Sequence, residues 1–495
     1  MSLHVTNTLS GEREPFEPHD PDSVLLYYCG LTVYDPAHLG HARAWVHVDV
    51  MHRWLEHLGY DVRHVENFTD VNEKIVAEIG EKGDSEAAIA REMIGATLRD
   101  MRSLNLKRAE VYPRVSEHVP EIVDLIERLI DRGYAYESNG SVYFDVGEFE
   151  EYGKLSNQRL DEIESQGDPD ERGEKRNPAD FALWKAGEAH PEEVSEQGSE
   201  DSETASHAGE PGGQTWESPW SEGRPGWHIE CSAMSMTHLD ESIDIHVGGQ
   251  DLVFPHHENE IAQSEAATGE QFARYWLHVR LLETGGEKMS SSLGNYFYVE
   301  DVVDAVGADV VRMFLLSSAY NSRQAYGEDA IEEAEERWER LERTYERASG
   351  AVDGPDARTK VKDADLRETI DEAREAFVEG MNDDFNTREA LAALLSIATA
   401  VNRHLDAREE FDYRGLRRAL ETFDELGSDV LGFTLGDTGD DGRVELAGDL
   451  VELLLEMREA EREAGNYERA DALRDDLEAL GVTVEDDADG SSYRL

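Results

Sequence analysis

The sequence contains two closely spaced histidines, His38 and His41, with Gly40 between them. Residues 24–28 before this pair are apolar and predict a short buried strand. After the pair, apolar side chains recur at every fourth position and predict a helix that ends at Gly59; these are Ala42, Val46, Val50, Trp54 and Leu58. A helix N-terminus favours phosphate, and the glycine lets a flat ring or a phosphate approach the backbone. On spacing alone, a helix start with ordinary histidines is the simpler interpretation.

Four further residues have side chains that bind zinc in proteins, namely Cys29, Cys231, His256 and Glu260. The last two are four positions apart, so on a helix they share a face. Zinc accepts thiolate, imidazole and carboxylate together, usually in a tetrahedral arrangement. His257 would also share a face with Glu260, so spacing does not choose the histidine. Cysteines are also common as small buried apolar residues, so the spacing alone is a weak indication of a metal.

A second candidate for phosphate binding is a loop at residues 288–292 with the sequence Lys-Met-Ser-Ser-Ser. It follows a pair of glycines and precedes Leu-Gly-Asn, which is typical of a mobile connection. The lysine ammonium group binds phosphate as a point charge. Taken alone, a loop of lysine and serine is a weak signal.

These residues need a scaffold that brings distant parts of the chain together. Residues 61–68 predict a second strand, and the alternating apolar residues at 243–247 predict another, which ends at a Gly-Gly pair. A helix over 255–267 and a strand over 276–282 follow. Strands that alternate with helices predict a parallel α/β sheet, and such sheets bind ligands at the carboxyl ends of their strands.

The pattern changes several times along the chain. Between residues 113 and 145 a helix and short strands predict an insertion between two halves of the sheet. Residues 187–214 are rich in Glu, Ser and Gly without periodicity, which predicts disorder. Beyond Gly307 the chain is almost entirely amphipathic helix to about residue 431. The predicted domains are residues 1–112 and 223–307 for the two halves of the sheet domain, 113–222 for the insertion, 308–435 for a helical bundle and 436–495 for a small C-terminal domain.

The 495-residue chain is extremely acidic, with 47 basic and 110 acidic residues and a net charge of −63. Only 9 of the basic residues are lysine, and the acidic residues are scattered over periodic helices rather than collected in a tail. Scattered acidity on a folded protein is typical of a halophile, where molar salt screens repulsion over about 3 Å. Because counterion release contributes little in molar salt, the negative charge does not exclude a nucleic-acid partner.

Two cysteines far apart in the sequence, and no apolar leader pattern at the start, favour free thiols in a reducing cytoplasm. No segment approaches the roughly 20 apolar residues of a membrane span, and no fixed-period repeat is present.

Several of these segments resemble one family. Residues 29–43 resemble the cysteinyl-tRNA synthetase form of the His-hydrophobic-Gly-His motif of class I synthetases, and residues 226–234 and 254–260 are close to segments of the same family. The loop at 288–292 resembles the Lys-Met-Ser-Lys-Ser motif but has Ser291 in place of the second lysine, which puts the role of that lysine in doubt. Segments 381–387 and 468–477 resemble the family's helical bundle and anticodon-binding end. The resemblance covers the chain except for residues 187–214.

The resemblance implies an α/β fold: a Rossmann-type parallel-sheet catalytic domain with a connective insertion, then an α-helical bundle and a small C-terminal domain. It implies one Zn²⁺ per subunit, held by Cys29, Cys231, His256 and Glu260. It implies that ATP with Mg²⁺ is bound by His38, Gly40, His41, Asp251, Lys288 and Ser290, with His38, His41 and Lys288 catalytic. It implies an amino-acid pocket formed by Asn67, Thr69, Trp227 and His246. Asp251 follows the Gly-Gly pair, where it would reach a ribose hydroxyl or an amino group.

The implied reaction has two steps, in which ATP activates L-cysteine to an adenylate and the acyl group then moves to tRNA(Cys). Shape alone separates such small amino acids only about 10–200-fold, whereas zinc prefers thiolate to hydroxyl. Four protein ligands would close the metal site, so either zinc becomes five-coordinate or Glu260 loosens; we favour the second. Trp227 either walls the pocket or packs in the core. A monomer is expected.

Two other functions compete with this interpretation. The related cysteine ligase of mycothiol synthesis shares the catalytic motifs and the zinc pocket but lacks the anticodon-binding end, which this chain has. A zinc-stabilised RNA-binding module without catalytic activity would not need both ATP motifs, which are present here.

The composition predicts that folding requires salt. Carboxylates at this density repel one another once the Debye length grows to about 10 Å near 0.1 M salt. Circular dichroism against KCl concentration should therefore show loss of structure on dilution. Full structure retained at about 0.1 M salt would refute the interpretation as a halophilic protein.

Overall fold

A computed structural model describes residues 2–163, 165–167, 171, 173–191, 212–289 and 294–436. It also describes residues 458, 469, 473–474, 483–487 and 490–494. The chain forms two compact units, Met1–Leu435 and Gly436–Leu495, and each is described by itself.

The strands of the first unit are β1 His4–Asn7, β2 Glu12–Pro15, β3 Ser23–Tyr28, β4 Asp61–Glu66, β5 Ala135–Ser138, β6 Ser141–Phe144, β7 Phe181–Ala186, β8 Trp216–Glu217, β9 Glu222–Pro225, β10 Ile243–Gly249, β11 Ala273–Val279, β12 Leu282–Thr284, β13 Glu287–Lys288, β14 Gln324–Tyr326, β15 Ala357–Arg358 and β16 Phe411–Asp412. The α-helices are α1 Leu39–His57, α2 Glu73–Val76, α3 Glu86–Ser103, α4 Val119–Asp131, α5 Ile229–His238, α6 Glu258–Thr268, α7 Val299–Val306, α8 Ala308–Leu316, α9 Glu328–Val352, α10 Ala364–Asn382, α11 Thr387–Ala407 and α12 Tyr413–Thr422. Single 3-10 turns lie at Val115–Glu117, Val146–Glu148, Leu160–Glu162 and Gln250–Leu252, and wider π turns at Val253–His257 and Phe423–Val430.

The central sheet has four parallel strands in the order β11-β10-β3-β4. Its middle strands, β3 and β10, are buried along most of their length, as expected for a parallel sheet covered on both faces. The prediction of a parallel α/β fold is confirmed. Two predicted strand limits differ from the structure, because β4 ends at Glu66 and the strand placed over 276–282 is β11, after which the chain turns into β12.

Helix α1 is the central helix of this unit, and most of its side chains are buried. Its predicted end is confirmed, because Gly59 follows with a φ of 99° that favours glycine. Leu58, the last of the recurring apolar residues, is 38% exposed, since it caps the last turn, where the side chain has left the core-facing face.

The insertion is a separate layer with its own core. Strands β5, β6, β7, β9 and β8 form a five-stranded sheet that is antiparallel in the pairs β5–β6, β6–β7, β7–β9 and β8–β9. The apolar side of α4 packs against this sheet and against α5 and α6. The layer extends past the predicted boundary at residue 222, because β9 runs to Pro225 and pairs with β7.

The two ends of the acidic segment predicted to be disordered are ordered. Gly213 donates its backbone N–H to the carbonyl of Ala189 at 2.8 Å, and the N–H of Gln214 donates to Glu86 Oε2 at 2.7 Å. The remainder of the prediction concerns residues 192–211, which lie outside the described residues.

The sheet and the helical bundle share one apolar core. Inside it, the fully buried Arg312 donates to Asp49 Oδ2 at 2.6 Å and to the carbonyl of Leu104 at 2.8 Å, which ties α8 to α1. Asp384, in the segment at 381–387, accepts from the hydroxyls of Thr6 at 2.6 Å and Tyr320 at 2.8 Å. This segment therefore joins the N-terminal strand to the helices.

In the second unit, the described residues include an antiparallel hairpin of β17 Thr483–Asp487 and β18 Gly490–Arg494. Of the family-like segment 468–477, only residues 469, 473 and 474 belong to the described residues. Among the described helices of the whole chain, none is long and apolar enough to cross a membrane.

Candidate functional site

The carboxyl ends of the parallel strands bring the candidate residues together. Cys29 follows β3 directly, Asn67 follows β4, and His246 lies in β10. The ends of β3 and β4 approach so closely that a Cβ on Gly30 would lie 1.8 Å from the carbonyl oxygen of Asn67. Only glycine fits there, and it allows the Asn67 side chain to accept from the Gly30 N–H at 2.9 Å.

Cys29, Cys231, His256 and Glu260 converge at this edge, with one potential ligand atom of each within 4.8 Å of the others. The Cys29 sulfur lies 3.6 Å from the Cys231 sulfur and 3.4 Å from His256 Nε2. His256 Nε2 lies 3.2 Å from Glu260 Oε1. All four residues are buried, so two sulfurs, a nitrogen and an oxygen surround one small enclosed space.

These four side chains are better explained as ligands of a zinc ion than as hydrogen-bond partners of one another. Burial raises the pKa of the Cys231 thiol well above its usual range and that of the Glu260 carboxyl to about 8. Glu260 Oε1 is buried and accepts no hydrogen bond from the described residues. A buried carboxylate oxygen without a donor is unfavourable unless a cation compensates it. Thiolate, imidazole and carboxylate are together the ligands of zinc.

Neighbouring side chains fix the orientation of the two ligands on the helical side. His256 Nδ1 lies 2.9 Å from His228 Nδ1, which leaves His256 Nε2 directed at the two cysteines and Glu260. His246 Nε2 lies 2.9 Å from Glu260 Oε2. Partners of this kind hold metal-binding imidazoles and carboxylates in place.

The structure also separates the two histidines that spacing leaves equivalent. His257 Nδ1 lies 2.8 Å from His278 Nε2, and His257 Nε2 is 3.9 Å from Glu260 Oε1. His246, His257 and Glu260 form a second group within 4.8 Å, but the cysteines lie with His256. Both histidines lie in the π turn Val253–His257, but His256 contacts the Cys29 sulfur whereas His257 contacts His278.

The residues predicted for the amino-acid pocket surround this cluster. Trp227 is 40% exposed, and its ring centroid lies 4.5 Å from that of His256; plain core packing does not describe this tryptophan. Asn67 accepts from the Tyr27 hydroxyl at 3.0 Å. Thr69 donates to Glu230 Oε1 at 2.5 Å, and burial raises the pKa of Glu230. His246 is buried behind Glu260, so it contacts a candidate metal ligand.

The two motif histidines cap helix α1 with their own rings. His38 Nδ1 accepts from the Gly40 N–H at 3.1 Å, and His41 Nδ1 accepts from the His38 N–H at 3.2 Å. The rings stack with centroids 3.7 Å apart. Both Nε2 atoms therefore remain available to a ligand. Burial lowers the pKa of His38 to about 4, and burial together with the nearby His38 and Lys74 lowers the pKa of His41 well below its usual range; both rings are neutral at pH 7.

Gly40 is required by this capping arrangement. A Cβ there would lie 2.8 Å from His38 Cε1. The flat ring that approaches the backbone is thus the neighbouring imidazole.

The second motif is connected to the first through the backbone. The Leu39 N–H donates to the carbonyl of Phe297, and the Val299 N–H donates to the carbonyl of Ala37, both at 2.9 Å. Lys288 is exposed at the end of β13, and its carbonyl accepts from Asn295 Nδ2 at 2.9 Å. Lys288 is therefore hydrogen-bonded to the segment that follows the loop, and that segment is hydrogen-bonded to the first motif.

Two predicted ATP-binding residues have no contact that assigns them a role. Asp251 is exposed in the turn Gln250–Leu252 after β10. Ser290, with Ser291, lies outside the described residues.

Sequence reasoning missed three contributors to the site, His228, Glu230 and His278. His228 and Glu230 lie within three positions of Cys231, and this proximity in sequence could have identified them. His278 ends β11 and contacts a histidine 21 positions earlier, and no local pattern indicates that contact.

Three family models match the chain. One described as "tRNA synthetases class I (C) catalytic domain" matches residues 15–336. One described as "DALR domain" matches residues 376–436, and one described as "Cysteinyl-tRNA ligase anticodon binding domain" matches residues 448–494.

Full-length relatives carry the same description. The chain is 68% identical to the cysteine–tRNA ligase of Haloarcula marismortui over 495 residues, covering 100% of both chains. It is 61% identical to that of Halobacterium salinarum over 496 residues, again covering 100% of both. The solved structure of Mycobacterium tuberculosis methionyl-tRNA synthetase in complex with methionyl-adenylate matches with a TM-score of 0.57, over 83% of this chain and 89% of that chain, at 17% identity. At that identity the likeness concerns the fold alone.

The donor cluster predicts a specific pattern of metal content. Cys231→Ser and His256→Asn each remove a zinc ligand, and bound zinc measured by mass spectrometry after dialysis should fall well below one per chain. His257→Asn alters an adjacent buried histidine that faces His278, and it should retain zinc. Circular dichroism on all three variants controls for folding. Loss of zinc from the His257 variant together with retention in the His256 variant would reverse the assignment.

Proposed function

The chain belongs to the cysteine–tRNA ligases, which are class I aminoacyl-tRNA synthetases, and from that premise we propose how its residues select and activate cysteine. Enzymes of this kind act on an amino acid, ATP and a tRNA. In the proposed reaction the carboxylate of L-cysteine attacks the α-phosphate of ATP and pyrophosphate leaves. The 3′-terminal ribose of tRNA(Cys) then attacks the acyl carbon, and AMP leaves.

The two imidazoles bind the phosphates in this scheme. Their Nδ1 atoms accept the capping hydrogen bonds of α1, so each neutral ring presents an Nε2–H donor. Donors that are already oriented stabilise the charge that develops on the phosphoryl oxygens in the transition state. Lys288 adds a positive charge from the other motif, and Mg²⁺ accompanies the pyrophosphate. Ser290 and Gly40 contribute to the same phosphate site, and Asp251 binds the ribose.

Cys29, Cys231, His256 and Glu260 hold one zinc ion per chain in this proposal. When bound, zinc selects the substrate by its preference for thiolate over hydroxyl. The observation that carries this proposal is the convergence of four ligand-type atoms in a fully buried position, one of them a carboxylate oxygen that accepts no hydrogen bond from the described residues. Because the preference of zinc for thiolate would discriminate against serine directly, the chain needs no separate editing site.

With zinc bound, Glu260 would be the ligand that yields to the substrate sulfur. Its Oε2 already has a partner in His246 at 2.9 Å, so the carboxylate would keep a partner if Oε1 left the metal. Cys231 contacts the Cys29 sulfur at 3.6 Å and Asn67 Oδ1 at 3.8 Å.

Trp227, Asn67 and Thr69 define the rest of the amino-acid pocket. The tryptophan ring covers His256 and limits the size of the side chain that enters. Asn67 and Thr69 hydrogen-bond to each other at 3.4 Å, and their remaining capacity serves the substrate amino group. His246 supports the pocket through Glu260.

Several further inferences rest on family membership and composition. The chain acts as a monomer in the cytoplasm of a salt-adapted organism, and its C-terminal unit binds the anticodon end of tRNA(Cys). The predicted domain limits at 112, 222, 307 and 435 separate these functions.

The proposal is tested by cysteine-dependent ATP–pyrophosphate exchange in high salt. The wild-type chain should exchange with cysteine and reject serine by far more than the 10–200-fold available from shape. Cys231→Ser, which changes one atom of the pocket, should lower cysteine-dependent exchange in parallel with bound zinc. A zinc-free variant that still prefers cysteine to serine would contradict the proposal.

Truncation before Gly436 separates activation from tRNA recognition. The residues proposed for adenylate formation all precede Gly294, and residues 1–435 form a compact unit of their own. The truncated chain should therefore keep pyrophosphate exchange and charge tRNA with a raised KM for tRNA, provided the lost contacts are equally strong in the ground and transition states. Circular dichroism establishes that the truncated chain is folded. Undiminished charging would show that the C-terminal unit does not bind the tRNA.

A further inference from the structure

Lysines are rare in this chain, and most of those in the first 307 residues are neutralised. Five of the seven form ion pairs with carboxylates, namely Lys82, Lys107, Lys154, Lys175 and Lys185. The two without an ion pair among the described residues are Lys288, which belongs to the ATP motif, and Lys74. Carboxylates are plentiful on a protein with a net charge of −63, so within this part of the chain a lysine without an ion pair is the exception.

The surroundings of Lys74 explain why no carboxylate neutralises it. The adjacent Glu73 is already bound by Lys185 at 2.9 Å and by Arg224 at 2.8 Å. Lys74 Nζ lies instead 5.4 Å from the centroid of the Tyr34 ring, in the range of a cation–π contact. Tyr34 precedes the histidine motif by four positions, and the charge of Lys74 contributes to lowering the pKa of His41. The ammonium group therefore lies close to the phosphate site.

Lys74 also lines a cavity of about 310 Å³ next to the amino-acid pocket. Trp227, His228 and Thr32 form the side of the cavity that adjoins the pocket, and Phe181 belongs to the inserted sheet. The carboxylates in its wall are compensated: Glu73 as above, and Glu171 by Lys175 at 2.6 Å and Lys185 at 3.1 Å. The one positive charge of the lining that these pairs leave uncompensated is that of Lys74.

We propose that Lys74 binds a phosphoryl oxygen of a nucleotide substrate at the mouth of this cavity. The inference rests on the function proposed above. An unpaired ammonium group that lines the same cavity as an exposed tryptophan is suited to a phosphate that adjoins a flat base or ribose. Two substrates of the reaction carry such a group, ATP and the 3′-terminal nucleotide of tRNA.

The composition of the second motif explains why an additional cation is needed. Residues 285–295 contain a single lysine, Lys288, and both motif imidazoles are neutral. Negative charge that develops on phosphoryl oxygens requires oriented positive groups. Lys74 is exposed where it lines the cavity, so its ammonium group is accessible to a phosphate.

The test compares Lys74→Met and Lys74→Arg with Lys360→Met in high salt. Lys360 is exposed and forms no ion pair among the described residues, so its variant controls for the loss of one positive charge. Two rates are measured for each: cysteine-dependent ATP–pyrophosphate exchange, and single-turnover transfer from preformed cysteinyl-adenylate to tRNA. A lost hydrogen bond to a charged group corresponds to a decrease of about 10- to 100-fold.

The two rates identify the source of the phosphate. A decrease in exchange for Lys74→Met, partly restored in Lys74→Arg, assigns the contact to ATP. Unchanged exchange with slower transfer assigns it to the terminal nucleotide of tRNA. If both rates equal those of the Lys360 variant, Lys74 contacts neither and the inference is wrong. A wild-type chain without cysteine-dependent exchange would instead overturn the proposed function itself.

Discussion

The candidate metal site is built around a buried carboxylate, and one of its two oxygens accepts no hydrogen bond from the described residues. Glu260 lies wholly inside the protein, with one oxygen held by His246 and the other facing the two cysteines and His256. A charge in this position is costly unless a cation accompanies it. The parallel sheet supplies the setting, because its strands end at one edge and deliver Cys29, Asn67 and His246 there. Two of the surrounding histidines orient the candidate ligands: His228 contacts His256, and His246 contacts Glu260.

In the candidate phosphate site, the side chains proposed to be catalytic also cap the helix that carries them. His38 and His41 use Nδ1 to cap α1 and thereby direct Nε2 outward. The capped turn is hydrogen-bonded to the segment that follows the lysine loop, through Leu39 and Val299. The two motifs, some 250 positions apart in sequence, thus belong to one local structure. A displacement of either would alter the position of the phosphate donors of the other.

Much of this arrangement could be predicted from the sequence, and the limits have physical causes. The strand–loop–helix around His38 and the end of α1 at Gly59 follow from local periodicity and backbone preference, and both are observed. Spacing could not choose between His256 and His257, because both share a helical face with Glu260; their different partners, the cysteines and His278, come from tertiary packing. His228 and His278 act through contacts with residues distant in sequence. The close approach of Gly30 to Asn67 arises only where two strands meet. Resemblance to a family supplied the ligand set that local pattern left open.

The central proposal is that two thiolates, an imidazole and a carboxylate would hold zinc, and that Glu260 would yield its position to the substrate sulfur. X-ray absorption at the zinc edge, on the full chain in high salt, measures this directly by counting sulfur atoms bound to the metal. The account predicts two sulfurs at about 2.3 Å in the free protein, three with bound cysteine, and two with serine. A sulfur count that does not change when cysteine binds would contradict the claim.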